Sequence, residues 1–269
     1  MDKKIGFIGV GKMATAVIKG LIKSNLFNNE NIFVFDIDQE AVNKISNEFG
    51  LTTASSNNEV VKNSDIIILA VKPFVLKEVL QEIKDTTMNK LIISIVAGVS
   101  SKKIQEILGE KTRIIRIMPN TPALIGCGMS AICKTDYSTI DDIEITTKIF
   151  KSIGEIVEAN ESDIDAITGV SGSGPAFYYY IINEIAKAGE KMGLDYNVAL
   201  KLSAQTALGA AKMILETNET PQTLIDNVTT PGGTTAEGNK VLLDSDLSKI
   251  LFETVNKTTK KSELLGKQF

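Results

Sequence analysis

Through the first half of the chain, short runs of aliphatic and β-branched residues alternate with longer amphipathic stretches. Runs at 4–9, 31–36, 65–71, 90–97 and 112–118 are predicted strands. The last three are nearly unbroken Ile, Leu and Val, the pattern of strands covered on both faces. Helical spacing fills the intervals at 13–24, 39–49 and 74–84, and Pro73 is a helix-start signal just ahead of the last. Such alternation builds βαβ units and a parallel sheet. Runs at 128–133 and 154–158 extend the sheet, with a helix at 139–152 between them. Past residue 160 the strand pattern stops. Residues 163–191 and 197–217 read as two long helices, followed by a Pro/Gly-rich turn and further helices. Gly172-Ser-Gly-Pro175 interrupts the first of these and predicts a break or kink. The expected architecture is a Rossmann-like, doubly wound, mostly parallel sheet over 1–160, then an all-helical domain over 161–269.

Composition narrows the chemistry. The 269 residues, 43% of them hydrophobic, suffice for a core without staples. A net charge of −4 with interspersed Lys and Glu gives no clustered basic face for nucleic acid. Cys127 and Cys133 are too few for a disulfide framework, and their apolar surroundings predict buried thiols in a reducing compartment. With no His at all, the commonest acid/base group and metal ligand is missing, so no metal site is expected. No unbroken apolar run reaches the roughly 18 residues that span a bilayer, and the first strand starts too early to leave room for a signal peptide. A cytoplasmic protein without membrane partners is expected.

The loop after the first strand carries a dinucleotide fingerprint. Gly9 permits a tight turn, Gly11 lets backbone approach a pyrophosphate, and Ala14 keeps the following helix close to the strand. A lone G-x-G-x-x-A also serves plain turns. Here it sits between a strand and a helix, and Asp36 ends the second strand 22 residues past Ala14. Asp36 would accept the ribose hydroxyls of NADH and repel the extra phosphate of NADPH, and no Arg lies between it and Phe49. The alternative role for Asp36 is a turn or cap residue. Ala70-Val71-Lys72-Pro73, Ala97-Gly98 and Met118-Pro119-Asn120-Thr121-Pro122 end three other strands, at the edge where open parallel sheets bind ligands; the last also reads as a purely structural turn.

In the helical half, Thr229-Thr-Pro-Gly-Gly-Thr-Thr235 leads into a helix. Backbone amides at such a start suit a carboxylate, and Thr235 adds a hydroxyl that donates and accepts. An ordinary helix start is the plainer reading. The aromatic run from Phe177 to Tyr180 suits core or dimer packing.

Together and in this order, Gly6 to Ala14, Ala70 to Pro73, Met118 to Pro122, Ser171 to Ala176 and Val228 to Thr235 resemble the motifs of pyrroline-5-carboxylate reductases. The likeness spans essentially the whole chain. It implies hydride transfer from NADH or NADPH to 1-pyrroline-5-carboxylate, a cyclic imino acid, giving L-proline. By the resemblance, Gly233, Thr234 and Thr235 hold the substrate carboxylate, with the Thr235 hydroxyl near the imine nitrogen as the catalytic group. Cofactor contacts would come from Gly6, Phe7, Ile8, Gly9, Val10, Gly11, Lys12 and Met13, from Asn57, from Ala70, Val71, Lys72 and Pro73, from Ile95, Val96 and Ala97, and from Glu161 and Asn227. The family also implies a homodimer through the C-terminal helices, and larger rings of dimers. Asp36 departs from members with a small polar residue there, which favours NADH. A hydroxyacid dehydrogenase would need Lys and Asn where Tyr178 and Ile182 stand, although Gly169, Gly172 and Gly174 fit its pattern. A non-catalytic dinucleotide sensor would have no need of the Pro231 to Thr235 loop.

Overall fold

The structure, a computed structural model, describes residues 1–267. The first part of the chain runs β1 (Ile5–Ile8), α1 (Lys12–Lys23), β2 (Ile32–Phe35), α2 (Gln39–Phe49), β3 (Thr52–Thr53), α3 (Asn57–Asn63), β4 (Ile66–Leu69) and α4 (Pro73–Ile83). It continues through β5 (Leu91–Ser94), α5 (Ser101–Leu108), β6 (Arg113–Met118), β7 (Gly128–Lys134), α6 (Ile140–Lys151) and β8 (Gly154–Glu158). The eight strands form one sheet in the order β3-β2-β1-β4-β5-β6-β7-β8. All neighbours are parallel except β6 and β7, which are antiparallel. The expected mostly parallel, doubly wound sheet is what forms.

Strand alternation explains its stability. Phe7, Ile66, Ile68, Ile93 and Ile115 pack with α1 and α6 through Ile18, Leu21, Ile149 and Phe150. Their neighbours Ile8, Ile67, Leu69, Ile92 and Ile114 pack on the other face with α3, α4 and α5 through Val60, Leu76, Leu80 and Ile104. Every residue of β1, β4 and β5 is buried, as the unbroken apolar runs require. The regular strands are shorter than expected. β5 ends at Ser94, leaving Ile95, Val96 and Ala97 as a loop at the carboxyl edge.

The helical part comprises α7 (Ile164–Ile167), a π-helical segment (Thr168–Gly172), α8 (Gly174–Lys191), α9 (Tyr196–Glu216), α10 (Pro221–Val228), α11 (Thr234–Leu243) and α12 (Leu247–Gly266). The break expected around Gly172 is this π segment, closed by a Ser173 N–H bond to the Thr168 carbonyl of 2.9 Å. Packing divides the chain into two compact units, one of residues 1–173 plus the chain from residue 256 on, the other of residues 174–255. The boundary expected at residue 160 marks a change of element type; the packing boundary comes later because the intervening residues are fastened to the sheet. Glu161 accepts hydrogen bonds from the Ser101 N–H (2.7 Å) and from Arg116 (3.0 Å), and Asn120 donates to the Ser171 carbonyl (3.2 Å). The end of α12 joins the same unit, where Lys103 Nζ donates to the Gly266 carbonyl and Ser262 to Asp165, each at 2.5 Å.

Within the second unit, α8 and α9 pair, joined by the Ser203 hydroxyl to the Ile182 carbonyl (3.0 Å) and Tyr196 to Asn183 (2.8 Å). The unit buries little of its apolar surface alone: Tyr178, Tyr179, Tyr180, Leu202, Leu215 and Leu243 are exposed, the last two by 81% and 84%. One expectation is corrected here. By length and composition α9 is apolar enough to cross a membrane, because its Ala, Leu and Val residues raise the average although polar residues interrupt every short run. A second correction concerns the thiols: Cys133 is buried in β7, but Cys127 is exposed in the turn ahead of that strand.

Candidate active site

The loop between β1 and α1 is held by its own backbone. Gly9 has φ +97°, and a Cβ there would stand 2.8 Å from the Ala70 carbonyl oxygen, so only glycine fits. Its N–H donates to the Phe35 carbonyl (2.8 Å), tying the loop to the end of β2. Gly11 differs. Its φ of −63° suits any residue, and a Cβ there would meet nothing within 4 Å. Neither strain nor packing within the chain demands glycine at position 11. A ligand approaching the backbone at the start of α1 would demand it, and that helix start lacks a side-chain cap. The residues present therefore fit a dinucleotide pyrophosphate.

Asp36 follows β2. Its Oδ2 accepts the Val10 N–H (2.8 Å) and its Oδ1 the Asp38 N–H (3.0 Å), so the carboxylate fixes both the fingerprint loop and the turn into α2. The helix cap itself is Asp38, which accepts from Ala41 N–H (3.1 Å). Each Asp36 oxygen keeps a second lone pair for a ligand hydroxyl.

A cavity of about 400 Å³ opens beside Asp36, bounded also by Gly9, Gly11, Asn57, Ala70, Val71 and Lys72. Apart from Asn57, which opens α3 after β3, these lie at the carboxyl ends of β1, β2 and β4, where the strand order reverses direction in sequence. Ile37 and Phe74, exposed by 87% and 83%, stand at its rim as apolar walls for a flat ring. Of the other expected contacts, Gly6, Phe7 and Ile8 lie within β1. Phe7 and Ile8 are core side chains, and a Cβ on Gly6 would strike Val60, so these three carry the loop without lining the cavity. Val10, Lys12, Met13 and Pro73 also lie outside its lining, flanking it in the chain, and the 95–97 loop lies outside it as well. Glu161 is engaged by Ser101, through both N–H and hydroxyl, and by Arg116. Asn227, in α10 of the other unit, donates to Glu219 (3.2 Å).

Sequence reasoning missed one wall altogether. Val75, Glu78, Val79 and Glu82 of α4 complete the cavity, and Glu82 accepts a 2.7 Å hydrogen bond from the side-chain amide of Asn57, itself 8% exposed. The spacing of 74, 78 and 82 on one helical face was the available signal.

In the second unit, Gly232 has φ +72° and the Gly233 N–H closes a turn on the Thr230 carbonyl (2.9 Å). A Cβ on Gly233 would press on the Thr230 hydroxyl, so the Thr230 side chain would have to turn aside for any larger residue. The turn delivers the chain into α11 with Thr234 and Thr235 in its first turn and no side-chain cap. Among the described residues, the N–H groups of Thr234 and Thr235 make no hydrogen bond. Two free amides at a helix start beside a half-buried hydroxyl are donors of the kind a carboxylate accepts from. Asn239, another residue not foreseen, braces the turn by donating to the Thr229 hydroxyl (2.9 Å).

Comparison with known proteins places both motifs in one context. Residues 161–265 match the family model described as pyrroline-5-carboxylate reductase dimerisation, and residues 4–98 one described as NADP oxidoreductase coenzyme F420-dependent. A pyrroline-5-carboxylate reductase from Methanosarcina acetivorans is 40% identical over 268 residues, covering 99% of each chain. The chain belongs to the pyrroline-5-carboxylate reductase family. The pyrroline-5-carboxylate reductase structure from Coxiella burnetii superposes with a TM-score of 0.93 at 32% identity, covering 98% of this chain and 99% of that one. The Plasmodium falciparum pyrroline carboxylate reductase, solved with NADP bound, gives 0.89 at 34% identity and 98% coverage of both.

Proposed function

We propose that this chain reduces 1-pyrroline-5-carboxylate to L-proline, the last step of proline biosynthesis, and takes its hydride from NADH in preference to NADPH. The observation that carries the reading is the turn into α11, where two free amides and a hydroxyl converge in a member of this family. The amides of Thr234 and Thr235 receive the substrate carboxylate, and Gly233 lets them do so by closing the turn. The Thr235 hydroxyl hydrogen-bonds the imine nitrogen as it becomes an amine.

When bound, the dihydronicotinamide supplies hydride to the imine carbon. One proton must reach nitrogen, and the basic imine takes it from solvent, which is compatible with a chain that has no His. What remains for the protein is to orient two bound molecules. A rival hydroxyacid dehydrogenase reading has Tyr178 where a cationic donor is needed, and Tyr178 is 65% exposed. A cytoplasmic location fits two free cysteines, and self-association through residues 161–265 fits the apolar surface of α8 to α12; a ring of dimers is the further step of that assembly.

Purified chain incubated with NADH should oxidise it only after pyrroline-5-carboxylate is added, with stoichiometric proline. Steady NADH without proline formation would overturn the activity.

A further inference from the structure

We propose that Glu78, on the second turn of α4, is a second determinant of dinucleotide choice, acting with Asp36 to reject a phosphate on the adenosine ribose. The inference rests on the reading of the 400 Å³ cavity as the adenosine end of the dinucleotide site. Three carboxylates line that cavity, Asp36, Glu78 and Glu82, against one cation, Lys72. Their commitments differ. Both oxygens of Asp36 hold backbone amides, and Glu82 holds the Asn57 amide at 2.7 Å. Among the described residues Glu78 makes no hydrogen bond or ion pair, so its full charge is available to the cavity.

Chemistry at the wall follows from these commitments. With an Asn57 N–H turned to Glu82, the side chain's carbonyl is left to present to a ligand. Asp36, Asn57, Glu78 and Glu82 thus form a surface dominated by acceptors. Hydroxyl and amino groups satisfy such a surface. A phosphate monoester, with about −1.5 to −2 charges and acceptor oxygens only, does not. Glu78 sits four residues from both Phe74 and Glu82, on the face of α4 that lines the cavity, so reversing its sign balances the lining, from three carboxylates against one lysine to two charges of each sign, without altering the loop that Asp36 holds.

The test is the ratio of kcat/KM for NADPH to that for NADH in the full-length enzyme. Relative to wild type it should rise about threefold in Glu78→Gln and about tenfold in Glu78→Lys at low ionic strength. Raising the salt should shrink the difference, because exposed charges are screened over about 8 Å at physiological strength. A purely structural role for Glu78 would leave the ratio fixed and change only melting temperature. A ratio in Glu78→Lys within twofold of wild type overturns the proposal; should that variant fold poorly, Glu78→Gln decides in the same way. Asp36→Ser measured alongside separates the two readings. A shift at Asp36 with none at Glu78 overturns Glu78 alone. No shift in either overturns the adenosine assignment of the cavity.

Discussion

Asp36 holds a loop and faces a ligand cavity with the same carboxylate, and both duties bear on cofactor choice. Hydrogen bonds from ribose hydroxyls to a charged acceptor contribute roughly 1.5–3 kcal/mol each. A phosphate about 4 Å from the carboxylate would cost about 4 kcal/mol at an effective dielectric near 20, and solvent at this open edge cuts that to about 1–2 kcal/mol. The expected preference for NADH is about tenfold in kcat/KM. Asp36→Ser should narrow or reverse it while leaving the KM for pyrroline-5-carboxylate in place, and an unchanged preference would reduce Asp36 to a turn residue. In the second unit, Thr235→Ala should lower kcat by about one to three orders of magnitude with the Kd for NADH intact, since the hydroxyl acts chiefly as charge moves at nitrogen. Undiminished turnover would remove Thr235 from the mechanism. The two thiols offer a check on the fold. Burial, reinforced by the charge of Glu161, pushes the Cys133 thiol up to about 11, while Cys127 is exposed. At pH 8 one equivalent of an aromatic disulfide reagent should react with native protein and a second only on unfolding. Rapid reaction of both would contradict the burial of β7.

At the scale of elements, the β1–α1 connection separates glycine needed for folding from glycine needed for binding. Gly9→Ala places a methyl against the Ala70 carbonyl in a left-handed backbone and should cost about 1–3 kcal/mol of stability. Gly11→Ala meets open space, so thermal melting should hardly move while NADH binds at least about tenfold more weakly. Equal NADH affinity in Gly11→Ala would show that no pyrophosphate lies there. Most of these elements were legible in the sequence because burial imposes a period: fully covered strands as unbroken Ile and Val, helices as spaced apolar stripes. Features without a period escaped. The two residues of β3 are too few to show alternation. The π segment depends on contacts from elsewhere, with Asn120 bonding the Ser171 carbonyl and the Met118 side chain filling the space beside Gly172. The α4 wall of the cavity stayed hidden for a similar reason. Glu78 and Glu82 read as solvated helix positions until packing against α3 brings Asn57 to Glu82.

For the whole molecule, the apolar surface of the second unit and the match of residues 161–265 to a dimerisation family carry the same implication. A unit leaving Leu215, Leu243 and three consecutive tyrosines exposed gains its missing burial from another copy. Light scattering at micromolar concentration should find at least a dimer, and a stable, active monomer would exclude this. The first unit draws cohesion from a buried ion pair at the sheet's carboxyl side: the Arg116 side chain is 7% exposed and finds Glu161 at 3.0 Å. Glu161→Ala would leave that guanidinium without its carboxylate and should cost about 2–3 kcal/mol, less than a fully buried pair because Glu161 is partly exposed. All of this serves one reaction. Its most direct test is initial-rate kinetics of the full-length enzyme on pyrroline-5-carboxylate with NADH and NADPH side by side. Proline formation with both, faster by about tenfold in kcat/KM with NADH, is the expected result; no turnover with either dinucleotide, or a clear preference for NADPH, would contradict it.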